Sequence, residues 1–370
     1  MTASELDRLV REKKVIVCCG AGGVGKTTTA AALGLAGAHA GRRVLVLTID
    51  PARRLAQAMG IKENAREPAP LPPDRLGEAG VVNGTLHAWM LNPDVVFESL
   101  VRRMATNKDQ ADRILNSRLF RHLSEMIAGM QEFTAAEALY ELATSGKYDL
   151  VVLDTPPARN ALDFLEAPGK LTRFLDEKIL NLFLPSKQRF GLLRKASELI
   201  SSVLTKVFGA EFFGEIQDFL NGFSGMFGPM RAHAEGVRKL LGSSDAAFLL
   251  VTSPEGAALA EARYFRDRIS AMGLPFAGFV LNRSWARVAG ANPEDLASAD
   301  DALLKQGLEK LKPLAEREKA RSERDRALLE KLASELPAKA VAVAAPYLGE
   351  AIEDLSGLAR LARGLVTAVA

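Results

Sequence analysis

The densest chemistry in the chain lies near its start, in Gly20-Ala21-Gly22-Gly23-Val24-Gly25-Lys26-Thr27, followed by Thr28. These residues fit G-x-x-x-x-G-K-[ST], with an apolar run before them and an alanine-rich run after them, which is the strand-loop-helix context the pattern requires. Glycines at these places let successive backbone N–H groups turn inward around phosphate oxygens. The helix start behind the loop adds positive potential. Lys26 is expected to reach the β- and γ-phosphates, and the Thr27 hydroxyl to be a ligand of Mg²⁺. The expected ligands are therefore ATP and Mg²⁺.

Two aspartates end apolar runs. Asp154 closes Leu150-Val151-Val152-Leu153-Asp154. In a parallel sheet such a carboxylate comes to lie beside the phosphate loop and can hold Mg²⁺ through a water. Asp50 closes Val44-Leu45-Val46-Leu47-Thr48-Ile49-Asp50 and could polarise or orient an attacking water. Each has a plainer role available, Asp154 as a turn residue and Asp50 as the cap of a helix starting at Pro51.

The elements that must position these groups follow from the apolar runs. Val15–Cys19 reads as a buried parallel strand, and Lys26 to Ala40 as a helix stopped at Gly41. With Val44–Asp50 they form a βαβ unit. Further strands are expected at Leu86–Met90, Leu150–Asp154, Ala246–Thr252, Phe276–Asn282 and Val341–Ala344, with a loop over 65–75. The expected fold is an α/β, doubly wound parallel sheet of the P-loop type, one domain over 1–370. Residues 93–145 and 158–242 are expected to form an inserted helical subdomain. In the second stretch, Leu199, Ile200, Val203, Leu204, Val207 and Phe208 make one helical stripe. Phe212, Phe213, Ile216, Phe219, Leu220, Phe223 and Phe227 make another. The simplest role of such stripes is to pack on each other.

Composition bounds the rest. The chain has 370 residues, 48% of them hydrophobic, enough for a sizeable core. The 48 basic and 45 acidic residues leave a net charge of +3, too balanced to suggest nucleic acid. Cys18 and Cys19 are adjacent and poorly placed for an ordinary disulfide, which suits a reducing cytoplasm. Residues 1–14 do not read as a signal peptide, and no apolar run reaches membrane-spanning length. A soluble cytoplasmic protein is expected. His39, His87, His122 and His233 lack metal-ligand spacing. Trp89 and Trp285 read as packing residues.

Gly20–Thr28, Thr48-Ile49-Asp50-Pro51-Ala52-Arg53-Arg54-Leu55 and Leu153-Asp154-Thr155-Pro156-Pro157 together resemble the arsenite-pump ATPase family, which includes ATPases that target tail-anchored membrane proteins. The resemblance resumes at Val251–Glu255, Leu281-Asn282-Arg283 and Ala345–Leu348. It implies a dimer with ATP at the facing surfaces and a helical client-binding subdomain. It implies that Asp50 lies in switch I and activates water, that Asp154 begins switch II, that Asn282 hydrogen-bonds adenine, and that Pro346 lies over the base; Lys26, Asp50 and Asp154 are the expected catalytic residues.

Three departures qualify it. The family's second lysine, which reaches the partner's nucleotide, is replaced by Ala21, leaving Arg53 or Arg54 as candidates for that contact. The Cys-x-x-Cys pair that clasps some members with zinc is absent from the sequence. Two neighbouring strand cysteines face opposite sides of a sheet, so they cannot gather on one arsenite. The leading expectation is thus an ATP-driven dimeric switch for a hydrophobic protein segment, with Phe223, Met226, Phe227 and Met230 as a client face. The alternatives are a membrane-surface or partition-type switch using the amphipathic segment Ile352–Leu365, or a heterodimer with a paralogue. That segment's plainer reading is that it packs on the sheet.

Overall fold

The runs Val15–Cys19, Val44–Thr48, Leu150–Asp154 and Ala246–Thr252 hold no glycine or proline and form strands buried on both faces. A computed structural model describes residues 5–49, 59–60, 65–116, 130–174, 205–206, 209, 226–288, 302–337, 340–349, 352 and 354–367. Asp50, Arg53, Arg54, the stripe residues 199–204 and 207–208, and Phe212 to Phe223 lie outside them, as does the side chain of Phe227.

The strands are β1 (Val15–Cys19), β2 (Arg43–Thr48), β3 (Ala69–Pro70), β4 (Thr85–Met90), β5 (Leu150–Asp154), β6 (Ala246–Thr252), β7 (Phe276–Leu281) and β8 (Val341–Ala344). They form one sheet in the order β3-β4-β2-β5-β1-β6-β7-β8. Every pairing is parallel except that of β3 with β4. This is the expected α/β parallel sheet. The exception lies within 65–75, the stretch expected to be a loop. A two-residue strand carries no periodicity to read, and its proline is tolerated because the strand is at the edge.

The helices around the sheet are α1 (Glu5–Glu12), α2 (Lys26–His39), α3 (Pro73–Glu78), α4 (Pro93–Met104), α5 (Lys108–Asn116), α6 (Met130–Thr144), α7 (Ala158–Phe174), α8 (Phe227–Leu241), α9 (Gly256–Ala271), α10 (Ala302–Ser334) and α11 (Leu355–Val366). Leu6, Leu9 and Val10 of α1, the alanine face of α2, and Leu358, Leu361 and Leu365 of α11 join Ile16, Val44, Val46, Val152 and Leu249 in one apolar cluster. Helix α2 lies so close to β2 that a Cβ on Gly34 would stand 2.2 Å from Val46 Cγ2. Residues of the opposite parity, such as Val15, Val17, Leu45, Leu47 and Leu153, are equally buried, so both faces of the sheet are covered.

The described chain forms two compact units. One is Met1–Met90, Leu142–Ala161 and Leu241–Ala370, and contains the sheet. The other is Leu91–Glu141 and Leu162–Leu240. In this second unit, Asn92 caps α4 by accepting from the backbone N–H of Asp94 at 3.0 Å. Phe97, Leu100, Ile114 and Phe133 share its core with Met226 and Met230. That corrects one expectation. Met226 and Met230 are fully buried, so they hold the helices together and do not present a client face.

The amphipathic C-terminal segment also turns inward. Leu358 and Leu365 of α11 are fully buried, so its stripe packs within the sheet unit. Among the described residues, no helix is long and apolar enough to cross a membrane.

Candidate active site

The chain leaves the C-terminal end of β1, the strand where the sheet's winding reverses, and enters the glycine loop there. Two glycines in this loop are obligatory for different reasons. Gly20 has φ 149°, and a Cβ there would lie 2.1 Å from the Val251 carbonyl oxygen. Gly25, at φ 93°, is the N-cap of α2, and a Cβ would lie 2.2 Å from Asn282 Nδ2. The loop apex is open, since a Cβ on Gly22 or Gly23 would meet no atom within 4 Å. The result is a concave turn of backbone with no side chain at its apex, in front of a helix N-terminus.

Lys26 begins α2 and is only 6% exposed. Its Nζ donates to the Ala21 carbonyl oxygen at 2.8 Å, folding the ammonium across the loop. Ala21 itself is 7% exposed and its methyl joins the apolar cluster. The position where the resemblance leads one to expect a second lysine is here used for packing.

Asp154 is completely buried at the end of β5. In register, Cys18 of β1 lies on one side of it and Thr48 of β2 on the other. Its Oδ2 accepts from Thr27 Oγ1 at 2.7 Å and from Thr48 Oγ1 at 3.0 Å. Thr155 Oγ1 donates to the Cys18 carbonyl at 2.9 Å, tying the turn after β5 to the end of β1, just before the glycine loop. Thr48 and Thr155 stand inside motifs of the sequence, but the sequence assigns neither a role. Each stands close to an aspartate or motif in sequence, but only the strand order reveals that they meet β1 and β5.

The pair Thr27 and Asp154 offers a hydroxyl and a carboxylate oxygen, the donor types that a hard divalent cation takes. These residues fit Mg²⁺. No group of three or more His, Cys, Asp or Glu that could hold a metal occurs among the described residues.

At the far side of the loop, Asn282 follows β7. Its backbone N–H donates to the Thr252 carbonyl at 2.8 Å, and its Nδ2 donates to the Val24 carbonyl at 2.8 Å. Pro346 follows β8 and packs against Gly364, where a Cβ would come 2.4 Å from Pro346 Cγ. The cysteines below the site are buried. Burial, reinforced for Cys18 by the neighbouring Asp154, pushes both thiols up, Cys19 to about 12. They are neutral at pH 7. The structure thus brings together Gly20 to Thr28, Asp154 and Asn282, while Asp50, Arg53 and Arg54 fall outside the described residues.

Residues 13–288 match the family described as anion-transporting ATPase. The chain belongs to that family. Its curated relatives include an uncharacterised protein of Streptomyces coelicolor, 32% identical over 49% of this chain and 43% of the relative. ATPase GET3 of Malassezia globosa is 32% identical over 44% of each chain. An ATPase ASNA1 homolog of Babesia bovis is 27% identical over 56% of this chain and 54% of its own length. The matched region spans about half the length of these relatives. The resemblance read from the motifs is therefore borne out.

Proposed function

We propose that the chain is a Mg²⁺-dependent ATPase that works as a nucleotide-driven dimeric switch in the cytoplasm. The observation that supports the Mg²⁺-ATPase part of this reading is the 2.7 Å contact between Thr27 Oγ1 and Asp154 Oδ2, between residues 127 positions apart, beside an open glycine turn with a buried lysine; the dimer and the location rest on the family resemblance. Bound there, Mg²⁺ would supply positive charge that offsets the charge of the phosphate oxygens. The loop's backbone N–H groups and Lys26 hold the phosphates. Thr27 and Asp154 would hold the metal. Asp50 orients the attacking water, and Asn282 and Pro346 receive the base.

Phosphate release from the purified chain tests the reading. Wild type should hydrolyse ATP only with Mg²⁺, and Lys26→Ala should lose both tight nucleotide binding and turnover. Equal turnover by wild type and Lys26→Ala would end it.

The unit Leu91–Glu141 plus Leu162–Leu240 is read as the inserted helical subdomain that handles a hydrophobic client. Because Met226 and Met230 are interior, the candidate contacts narrow to Phe223 and Phe227. Phe223→Asp/Phe227→Asp should lose co-purifying apolar segments and keep ATPase activity. Light scattering with ATP and Mg²⁺ should show a homodimer; a monomer that dimerises only with a second chain would favour the paralogue.

A further inference from the structure

The turn that follows Asn282 is held mainly by one helix. Arg321, Ser322, Asp325 and Arg326 of α10 share a helical face, and all four reach residues 285–288. Asp325, fully buried, is the central contact. Its Oδ2 accepts from the Trp285 backbone N–H at 2.9 Å and from Ser284 Oγ at 3.4 Å. Arg326 donates to the Ala286 carbonyl at 2.9 Å, and Ser322 to the Val288 carbonyl at 3.1 Å. The Arg321 guanidinium sits 4.9 Å from the centroid of the Trp285 ring. On its other account, Trp285 stacks on Tyr347, with centroids 4.7 Å apart and planes 26° from parallel. Tyr347 directly follows Pro346. The two loops assigned to the base, after β7 and after β8, are thereby joined to each other and to α10.

Between Asn282 and this anchored turn stands Arg283, at φ 54°. A residue with a Cβ takes that conformation at a cost, so its surroundings must hold it there. The anchors lie on both sides. Upstream, Asn282 is fixed to Thr252 and Val24; downstream, Ser284 and Trp285 are fixed to Asp325. With Nδ2 committed to Val24, Oδ1 is the atom that would accept from the exocyclic amino group of adenine. Guanine carries an oxygen at that place and would be disfavoured.

We propose that Asp325 is a positioning residue for base discrimination. It fixes the 284–285 turn that aims Asn282, and the Arg321–Trp285–Tyr347 stack keeps the second loop in step. This rests on the reading that Asn282 meets the base. Removing the carboxylate strands the Trp285 N–H and the Ser284 hydroxyl, and the strained Arg283 is then free to relax.

The test compares kcat/KM for ATP and for GTP in wild type, Asn282→Ala, Asp325→Ala, Asp325→Asn and Tyr347→Ala. Asn282→Ala and Asp325→Ala should each lower the ATP-over-GTP preference about tenfold, the size of one lost hydrogen bond. For Asp325→Ala the loss should sit in the KM for ATP, with kcat within about twofold. Asp325→Asn keeps an acceptor for Trp285 and should recover most of the preference. A Trp89→Phe background leaves Trp285 as the sole indole, and its emission change on ATP addition should vanish in Asp325→Ala.

If Asn282→Ala collapses the preference while Asp325→Ala only lowers the melting temperature, Asp325 is merely structural and the proposal falls. Should Asn282→Ala leave the preference intact, the base reading itself fails. Where Asp325→Ala does not fold, the exposed Tyr347→Ala decides: a drop of about threefold in preference supports the coupling, and an unchanged preference overturns it.

Discussion

Asp154 is fully buried, and its Oδ2 accepts from hydroxyl groups of two other elements. Exchange for asparagine keeps the volume and one acceptor oxygen but removes the charge a divalent cation needs. Asp154→Asn should therefore fold and bind nucleotide, yet lose about 10²-fold or more in phosphate release. Assays in Mg²⁺ with a folded-state check by circular dichroism measure both halves. The cysteines make the opposite case. Their raised thiols, one at about 12 and both sealed from solvent, should resist iodoacetamide for hours at pH 7 and react within minutes in denaturant. Mass spectrometry of the alkylated chain reads this directly. At this scale the sequence was informative about Lys26, Thr27 and Asp154 because each ends or begins a recognisable run. It gave Thr48 only as part of a motif, with no role, and was silent on Asp325; the chemistry of both comes from what they touch.

Elements bear predictions of their own. Helix α11 is capped by Asp354, whose Oδ1 accepts from the Gly357 N–H at 2.7 Å. Asp354→Ala should cost about 1 kcal/mol in urea unfolding. Leu358, fully buried on the same helix, should cost about 2–5 kcal/mol as alanine, because the cavity between helix and sheet cannot close. Strands β1, β5 and β6 match the sequence expectation residue for residue, since fully buried parallel strands are unbroken apolar runs. Strand β2 stops at Thr48, two residues before the expected end. Helix α1 is hard to read from the sequence although Leu6, Leu9 and Val10 have helical spacing, because five charged neighbours dominate so short a segment. The methionines of α8 and the turn before it were legible as apolar but not as interior. A face at helical spacing looks the same whether a client or a neighbouring helix covers it.

Across the whole molecule, two half-buried histidines set an acid limit. Burial lowers the basicity of both His39 and His87 below the ordinary value of 6.5. The unfolded chain would take up protons near 6.5 while the folded chain resists until lower pH. Stability is thus complete above about 6.5 and falls as the pH drops below it. Melting temperatures between pH 7.5 and 5.5 should decline, and a His39→Gln/His87→Gln variant should flatten that decline. A parallel decline in the variant would reject the histidines as its source.

By itself the sequence determined the glycine loop, the apolar strands that flank it, and the family, because these are written in local runs of residues and their local geometry. Only the tertiary structure decided that β5 lies between β1 and β2, which sets Asp154 between Cys18 and Thr48 and against Thr27. It alone placed Asn282 on Val24 and Asp325 under the turn that follows. Strand order and helix seating come from burying faces of the whole chain at once, so the glycine loop's neighbours could not be read from the loop itself.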